Sequence, residues 1–195
     1  MKILTVRHGR TQWNEIGRMQ GKTDIPLDDV GLDQARRLGK RLAGEKVDII
    51  YTSDLMRAAK TAEIINSHHN VELVTTPVLQ EFGFGIYEGC IYDEVAEEVY
   101  YYRSKNLPMP DGDDIFEYYD KIHRFLEEVT TRQHQNIIIV GHGGSVRAAI
   151  CYFLQLPTED RDSYMHIGNT AVHCFERTAD GRFQMTLEND VSHLD

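Results

Sequence analysis

The chain has 195 residues, 41% of them hydrophobic and 27% charged, with a formal net charge of −10. That length and balance suit one soluble domain, residues 1–195, with a sizeable core. The negative charge argues against nucleic acid and acidic membranes as partners, which call for clustered lysine and arginine. It leaves room for a small anion, because two local arginines dominate a pocket whatever the net charge.

Residues 2–6, KILTV, read as a strand that runs straight into Arg7-His8-Gly9. Residues 31–43 place Leu32, Ala35, Leu38 and Leu42 on one face and basic residues on the other, the pattern of an amphipathic helix. Residues 46–53 read as a second strand. A helix over 54–69 follows, with Ser53 as its expected N-cap and Asp54 near its positive start. Residues 71–76 form a third, short strand.

Residues 80–112 are less regular. QEFGFGIYEG carries three glycines and reads as a loop, 91–105 as a helix, and NLPMPDGDD as a break. A helix is expected over 113–132. NIIIVG at 136–141 is a continuous apolar run, the signature of a strand buried on both faces, and it ends in Gly141-His142-Gly143-Gly144. A helix over 144–155 follows, then two strands, 170–177 and 182–189, around the turn TADGR. Alternating strands and helices predict a three-layer α/β/α sandwich with a mostly parallel sheet. Residues 80–135 are expected to be a helical lid or insertion over it.

Three cysteines, at 90, 151 and 174, form no CxxC pair. They read as reduced thiols, not a disulfide frame or zinc site, and point to the cytoplasm. The start of the chain lacks the apolar core of a signal peptide, and no stretch approaches the ~20 apolar residues of a membrane span. The C-terminal hairpin offers a sheet edge that suits pairing into a homodimer.

Sites in open α/β sheets form beyond the carboxyl ends of strands. Here that edge gathers Arg7 and His8 from the first strand, Arg57 from the helix after the second, and His142 from the fourth. Arginine forks match phosphate oxygens, a histidine can attack phosphorus, and the N–H groups of Gly143 and Gly144 open a helix towards an anion. Taken singly, each residue has a plainer reading. His8 suits a structural hydrogen bond, Arg7 a surface ion pair, and Arg57 a pair with Glu63 or Asp54. His142 suits a turn, Glu81 a solvated loop position, and Asn14 and Gln20 turn caps.

Four segments in order, VRHGRTQWN, SDLMRAAKTAE, LQEFGFGIYEG and VGHGGSVRA, resemble the motifs of the histidine phosphatase superfamily, the phosphoglycerate mutase-like family. The resemblance spans nearly the whole chain. It implies a phosphoglycerate mutase-like fold and a phosphohistidine intermediate on His8. Arg7, Arg57 and His142 would clamp the phosphoryl oxygens, with Asn14 and Gln20 adding hydrogen bonds. Glu81 would act as the proton donor and then the base. No metal and no cofactor is implied, and the partner is a small phosphate monoester.

The acid segment looks more like the phosphatase branch, which includes broad-specificity and α-ribazole phosphatases, than like the mutases. A mutase-type phosphotransferase and a non-catalytic phospho-ligand binder are the alternatives. One departure stands out: where the family often has Pro-x-Gly-Glu-Ser, this chain has Asp113 and Asp114 in the last two places, which puts substrate contacts from that loop in question.

Overall fold

The computed structural model describes residues 1–160 and 166–195. Its frame is a six-stranded sheet. The strands are β1 (Lys2–Arg7), β2 (Ile49–Ser53), β3 (Glu72–Thr76), β4 (Asn136–Gly141), β5 (Val172–Arg177) and β6 (Phe183–Asp190). They lie in the order β3-β2-β4-β1-β5-β6. The first four run parallel, whereas β5 and β6 are antiparallel to their neighbours. The sheet is therefore mostly parallel with an antiparallel edge, because a short turn at 178–182 joins β5 to β6 with no crossover helix.

Strand alternation sorts the core into two faces. Ile3, Ile49, Tyr51, Ile137, Ile139 and Phe175 pack on one side, under helices α5 (Ile115–Thr131) and α6 (Gly143–Leu154). Leu4, Val6, Ile50, Ile138, Val140 and Val172 pack on the other, against α2 (Asp29–Leu42) and α3 (Met56–Asn66). The unbroken Ile-Ile-Ile-Val of β4 thus feeds both layers. Burying each such side chain contributes about 1.5–3 kcal/mol relative to leaving it exposed.

Several boundaries move for identifiable reasons. A one-turn helix, α1 (Gln12–Glu15), follows β1 and is closed by a capping box between Thr11 and Asn14. Helix α2 starts at Asp29, two residues early, because the Asp28 carboxylate accepts from Gly31 N at 2.7 Å. The Asp114 carboxylate likewise caps α5, accepting from Phe116 N and Glu117 N at 2.8 and 3.1 Å.

Ser53 is not the N-cap of α3. That place belongs to Leu55, and the Ser53 hydroxyl accepts from Leu55 N at 3.2 Å. The helix's open Met56 N–H is taken instead by Asp24, from another loop, at 2.7 Å. Within 80–135, helix α4 (Tyr92–Ser104) sits close to its expected place. Helix α5 sends Tyr118, Tyr119, Ile122, Leu126 and Val129 into the core.

Candidate active site

The two histidines meet because their strands are neighbours. Arg7 pairs with Gly141 at the ends of β1 and β4, and His8 N donates to Gly141 O at 2.9 Å. The rings lie 5.1 Å apart between centroids, tilted by 60°. Both are buried, at 2% and 0% exposure. Gly9 is required by close approach: a Cβ there would meet Gly31 O at 2.5 Å.

Hydrogen bonding fixes the tautomer of His8 and orients the ring of His142. His8 Nδ1 lies 2.6 Å from Gly9 O, which can only accept. The proton therefore sits on Nδ1, and Nε2 keeps its lone pair. His142 Nε2 lies 2.9 Å from Ser53 Oγ. With Leu55 N–H on one of its lone pairs, the Ser53 hydroxyl is placed to give its own proton to His142 Nε2. In that arrangement the ring proton is on Nδ1, which is buried and has no protein partner. Burial, with the charges of Arg57 and Arg7 behind it, pushes His8 well below the ordinary histidine range. The same causes, with His8 added, hold His142 down. Both rings are neutral at pH 7, the form that His8 needs to attack phosphorus.

The arginines are held from behind. Arg57 is fully buried, its Nη2 donating to Gly21 O at 2.7 Å and Nη1 to Thr23 O at 2.8 Å. It does not pair with Glu63 or Asp54. Arg7 Nη1 donates to Ile167 O. Each Nε is buried without a protein partner. Burial lowers Arg7 to about 10, against the pull of Glu81 and with the push of Arg147. Burial also lowers Arg57, while Glu81, Asp24 and Glu88 oppose it. Arg7 stays charged at pH 7.

Glu81 lies across the start of α6. Its Oε1 accepts from Gly144 N and from Phe82 N, both at 2.9 Å. This corrects one expectation: the Gly144 N–H holds Glu81, and Gly143 keeps the first N–H of the helix for an anion. Asn14 joins Thr11 in the α1 cap, and its Oδ1 also lies 3.4 Å from Asn169 Nδ2. Gln20 is buried at 8% exposure with Oε1 unpartnered. Arg7 ends β1 and His8 follows it, while Arg57 and Gly143 stand in the first turns of α3 and α6, with His142 as the N-cap of α6. Glu81 reaches this edge through Gly144 N and Asn14 through Asn169, and Gln20 lies in the loop just before Gly21, whose carbonyl takes Arg57.

Further residues support the site, and two of them, Ser53 and Arg147, were not foreseen in that role from sequence. Ser53 orients His142. Asn169 Nδ2 donates to His8 O at 3.1 Å. Thr170, held in the left-handed region at φ 57, donates its N–H to Arg7 O and His8 O at 3.0 and 3.2 Å. Arg147 is a further guanidinium at the site, with Nη1 3.9 Å from where a Gly143 Cβ would stand. Its signal was available, because i+4 from Gly143 on a helix shares that residue's face. Asp113 serves the structure, accepting from Gly83 N at 2.8 Å and from Lys22 Nζ at 2.5 Å. A crevice of about 30 Å³ opens at Gly144 and Arg147 and runs between Phe82, Phe84, Met109 and Arg103. Tyr100 and Tyr101 face solvent at 69% and 54% exposure, while the Tyr102 ring lies 6.3 Å from that of Tyr87, tilted by 55°.

Residues 3–191 match the profile of the histidine phosphatase superfamily (branch 1), and the chain belongs to that family. It is a phosphoric monoester hydrolase of the phosphohistidine type. A relative named putative phosphoserine phosphatase 2, from Hydrogenobacter thermophilus, is 33% identical over 88% of this chain and 87% of its own. A protein of Arabidopsis thaliana named metal-independent phosphoserine phosphatase is 32% identical over 99% of this chain and 83% of its own. A phosphoserine phosphatase variant of Entamoeba histolytica, solved with phosphoserine, superposes with a TM-score of 0.86. It shares 29% identity and covers 100% of this chain and 99% of that one. Among the described residues no helix is long and apolar enough to cross a membrane.

Proposed function

We propose that His8 Nε2 attacks the phosphorus of a small monoester in line with the leaving oxygen. The observation that carries this is the pair of buried neutral histidines beside the fully buried Arg57 and the partly buried Arg7, whose Nε atoms are both buried with no protein partner. Arg7, Arg57, His142 Nδ1–H and Gly143 N–H bind the three phosphoryl oxygens, with Asn14 and Gln20 at the rim. The leaving P–O bond breaks as the N–P bond forms, and Glu81 gives its proton to the departing oxygen. Water then attacks phosphorus, returns a proton to Glu81 and frees His8. Charge stabilisation comes from guanidinium groups and the helix start, so the reaction proceeds without a metal. The reading takes residues 1–195 as one catalytic domain, with 80–135 covering the site. Three free thiols suit a reducing compartment such as the cytoplasm.

The substrate class is a small phosphate ester whose carbon portion lies towards the crevice beside Glu81. Phosphoserine is the first candidate, given the names of the relatives. The test uses the protein in excess chelator with 4-nitrophenyl phosphate and phosphoserine, alongside His8→Ala. Phosphate release and an acid-quenched phosphohistidine are expected in the parent and absent in the variant. Undiminished turnover by His8→Ala sinks the nucleophile assignment. Conversion of 3-phosphoglycerate mainly into its 2-isomer overturns the phosphatase reading.

A further inference from the structure

Glu88 lies in the glycine-rich segment after the acid and takes no part in the chemistry above. Yet its carboxylate is saturated. Oε1 accepts from Lys22 N at 3.0 Å and Phe84 N at 3.1 Å; Oε2 accepts from Thr23 N at 3.0 Å and Thr23 Oγ1 at 2.7 Å. Four donors fill the acceptor sites of one carboxylate. Charge-assisted bonds of this kind are about twice as strong as neutral ones, so the carboxylate holds both segments firmly.

The loop it holds is the one that holds Arg57. The Gly21–Lys22 peptide gives its N–H to Glu88 Oε1 and its C=O to Arg57 Nη2. One peptide dipole therefore lies head to tail between a carboxylate and a guanidinium. The Thr23 carbonyl takes Arg57 Nη1 in the same way, while Thr23 N–H and Oγ1 return to Glu88. Gly21 sits at φ +53, and a Cβ there would meet Glu88 Oε1 at 2.0 Å, so the approach admits only glycine. On its other side Glu88 binds Phe84 N, three residues beyond Glu81. A single carboxylate thus joins the loop behind the phosphoryl-binding arginine to the loop that carries the acid.

We propose that Glu88 is a positioning residue that sets the Arg57 guanidinium, through the Gly21–Lys22 peptide, at the height where its Nε meets a phosphoryl oxygen. This rests on Arg57 being a phosphoryl ligand. Bonds of this kind act on an anion bound in the ground state as well as on the transition state, so phosphate affinity reports them directly.

The experiment measures competitive inhibition by inorganic phosphate, with kcat and KM for 4-nitrophenyl phosphate. The proteins are the full chain, Glu88→Gln, Arg57→Ala and the double variant, each checked for native circular dichroism. Glu88→Gln is expected to raise the phosphate inhibition constant about tenfold, or about 1.4 kcal/mol, and to lower kcat as well. Arg57→Ala raises the constant further, and adding Glu88→Gln to it changes the constant by less than about twofold, because the arm it positions is gone. Glu88→Gln within twofold of the parent, or a loss of equal size in both backgrounds, overturns the proposal. Arg57→Ala with unchanged phosphate affinity sinks the ligand reading instead. If Glu88→Gln fails to fold, Glu88→Asp keeps the charge but shortens the arm. A loss of about threefold, absent in the Arg57→Ala background, is then expected, and an equal loss in both overturns it.

Discussion

Ser53→Ala probes the tautomer of His142 at the cost of one oxygen atom. The hydroxyl is fully buried between Leu55 N–H and His142 Nε2. Removing it strands a buried donor and a buried acceptor. At about 1–3 kcal/mol for each unsatisfied group, partly offset by relaxation, the fold loses roughly 2 kcal/mol. For a chain of this size that is a fall in Tm of about 4–8 °C. The effect on rate has a different origin. With Ser53 present, Nε2 accepts and Nδ1 keeps the proton that a phosphoryl oxygen needs. Without it, His142 is free to carry the proton on Nε2 and turn a lone pair towards the anion. Loss of one preorganised donor costs up to ~10²–10³ in kcat, and partial population of the useful tautomer brings the expectation to about 10–100-fold. Steady-state kinetics on 4-nitrophenyl phosphate and imidazole nitrogen shifts by NMR read the two effects separately. A folded Ser53→Ala protein with kcat within twofold of the parent, or with its Nδ1 still protonated, removes Ser53 as the group that sets the His142 tautomer.

Other changes separate the remaining roles. Gly144→Ala pushes a Cβ to 2.2 Å from Glu81 Oε1, so it displaces the acid while leaving the arginines alone. Its kcat should fall far more for alkyl phosphates, whose leaving group needs the proton, than for 4-nitrophenyl phosphate; equal losses reject Glu81 as the acid. Arg57→Lys puts one ammonium where a fork reached two carbonyls and an anion, and should lower kcat/KM by ~10²–10³; activity within tenfold of the parent rejects the fork. His173 is buried beside β1, and burial lowers it to about 4. The unfolded chain therefore takes up its proton first. The stability this contributes is complete above about pH 6.5 and is lost as pH falls towards 4, amounting to about 3 kcal/mol. Denaturant titrations of the parent and His173→Phe should diverge by a pH-dependent gap over that window, and parallel curves rule it out.

The strands and most helices were legible because their periodicities are strong. Ile137–Val140 has no polar face, and α5 alternates at helical spacing. The two histidine motifs were legible because strand ends in a parallel sheet fall on one edge. What escaped depends on partners distant in sequence. Ser53 looks like a cap until His142 arrives from 89 residues away. Asp24 caps α3 from 32 residues upstream, which no local rule detects. What anchors Arg57 escaped too, because its partners are two main-chain carbonyls, whose positions are set by a turn and not by side-chain identity. Asp113 and Asp114, read from sequence, put substrate contacts from their loop in question. In the fold one pins the Gly83 loop and the other starts α5, so their departure from the family pattern has a local structural cause.

The same buried groups predict how the protein answers its ligand. Arg7 Nε, Arg57 Nε and His142 Nδ1 are donors removed from water with nothing in the protein to accept them. Buried polar atoms without partners are costly, and the Arg57 charge close enough to lower Arg7 adds to that cost. An oxyanion supplies acceptors and opposite charge together, and only the folded chain has the site. Inorganic phosphate at 100 times its dissociation constant should therefore add about 2.7 kcal/mol of stability, or about 5–10 °C in Tm. Chloride at matched ionic strength lacks the three-oxygen geometry and should give little of this. Arg57→Ala and His142→Ala should each shrink the phosphate shift at the same phosphate concentration, because each removes one of the donors that the anion satisfies. A shift that chloride reproduces, or that survives both substitutions undiminished, would place the anion elsewhere and detach the histidine–arginine cluster from phosphate recognition.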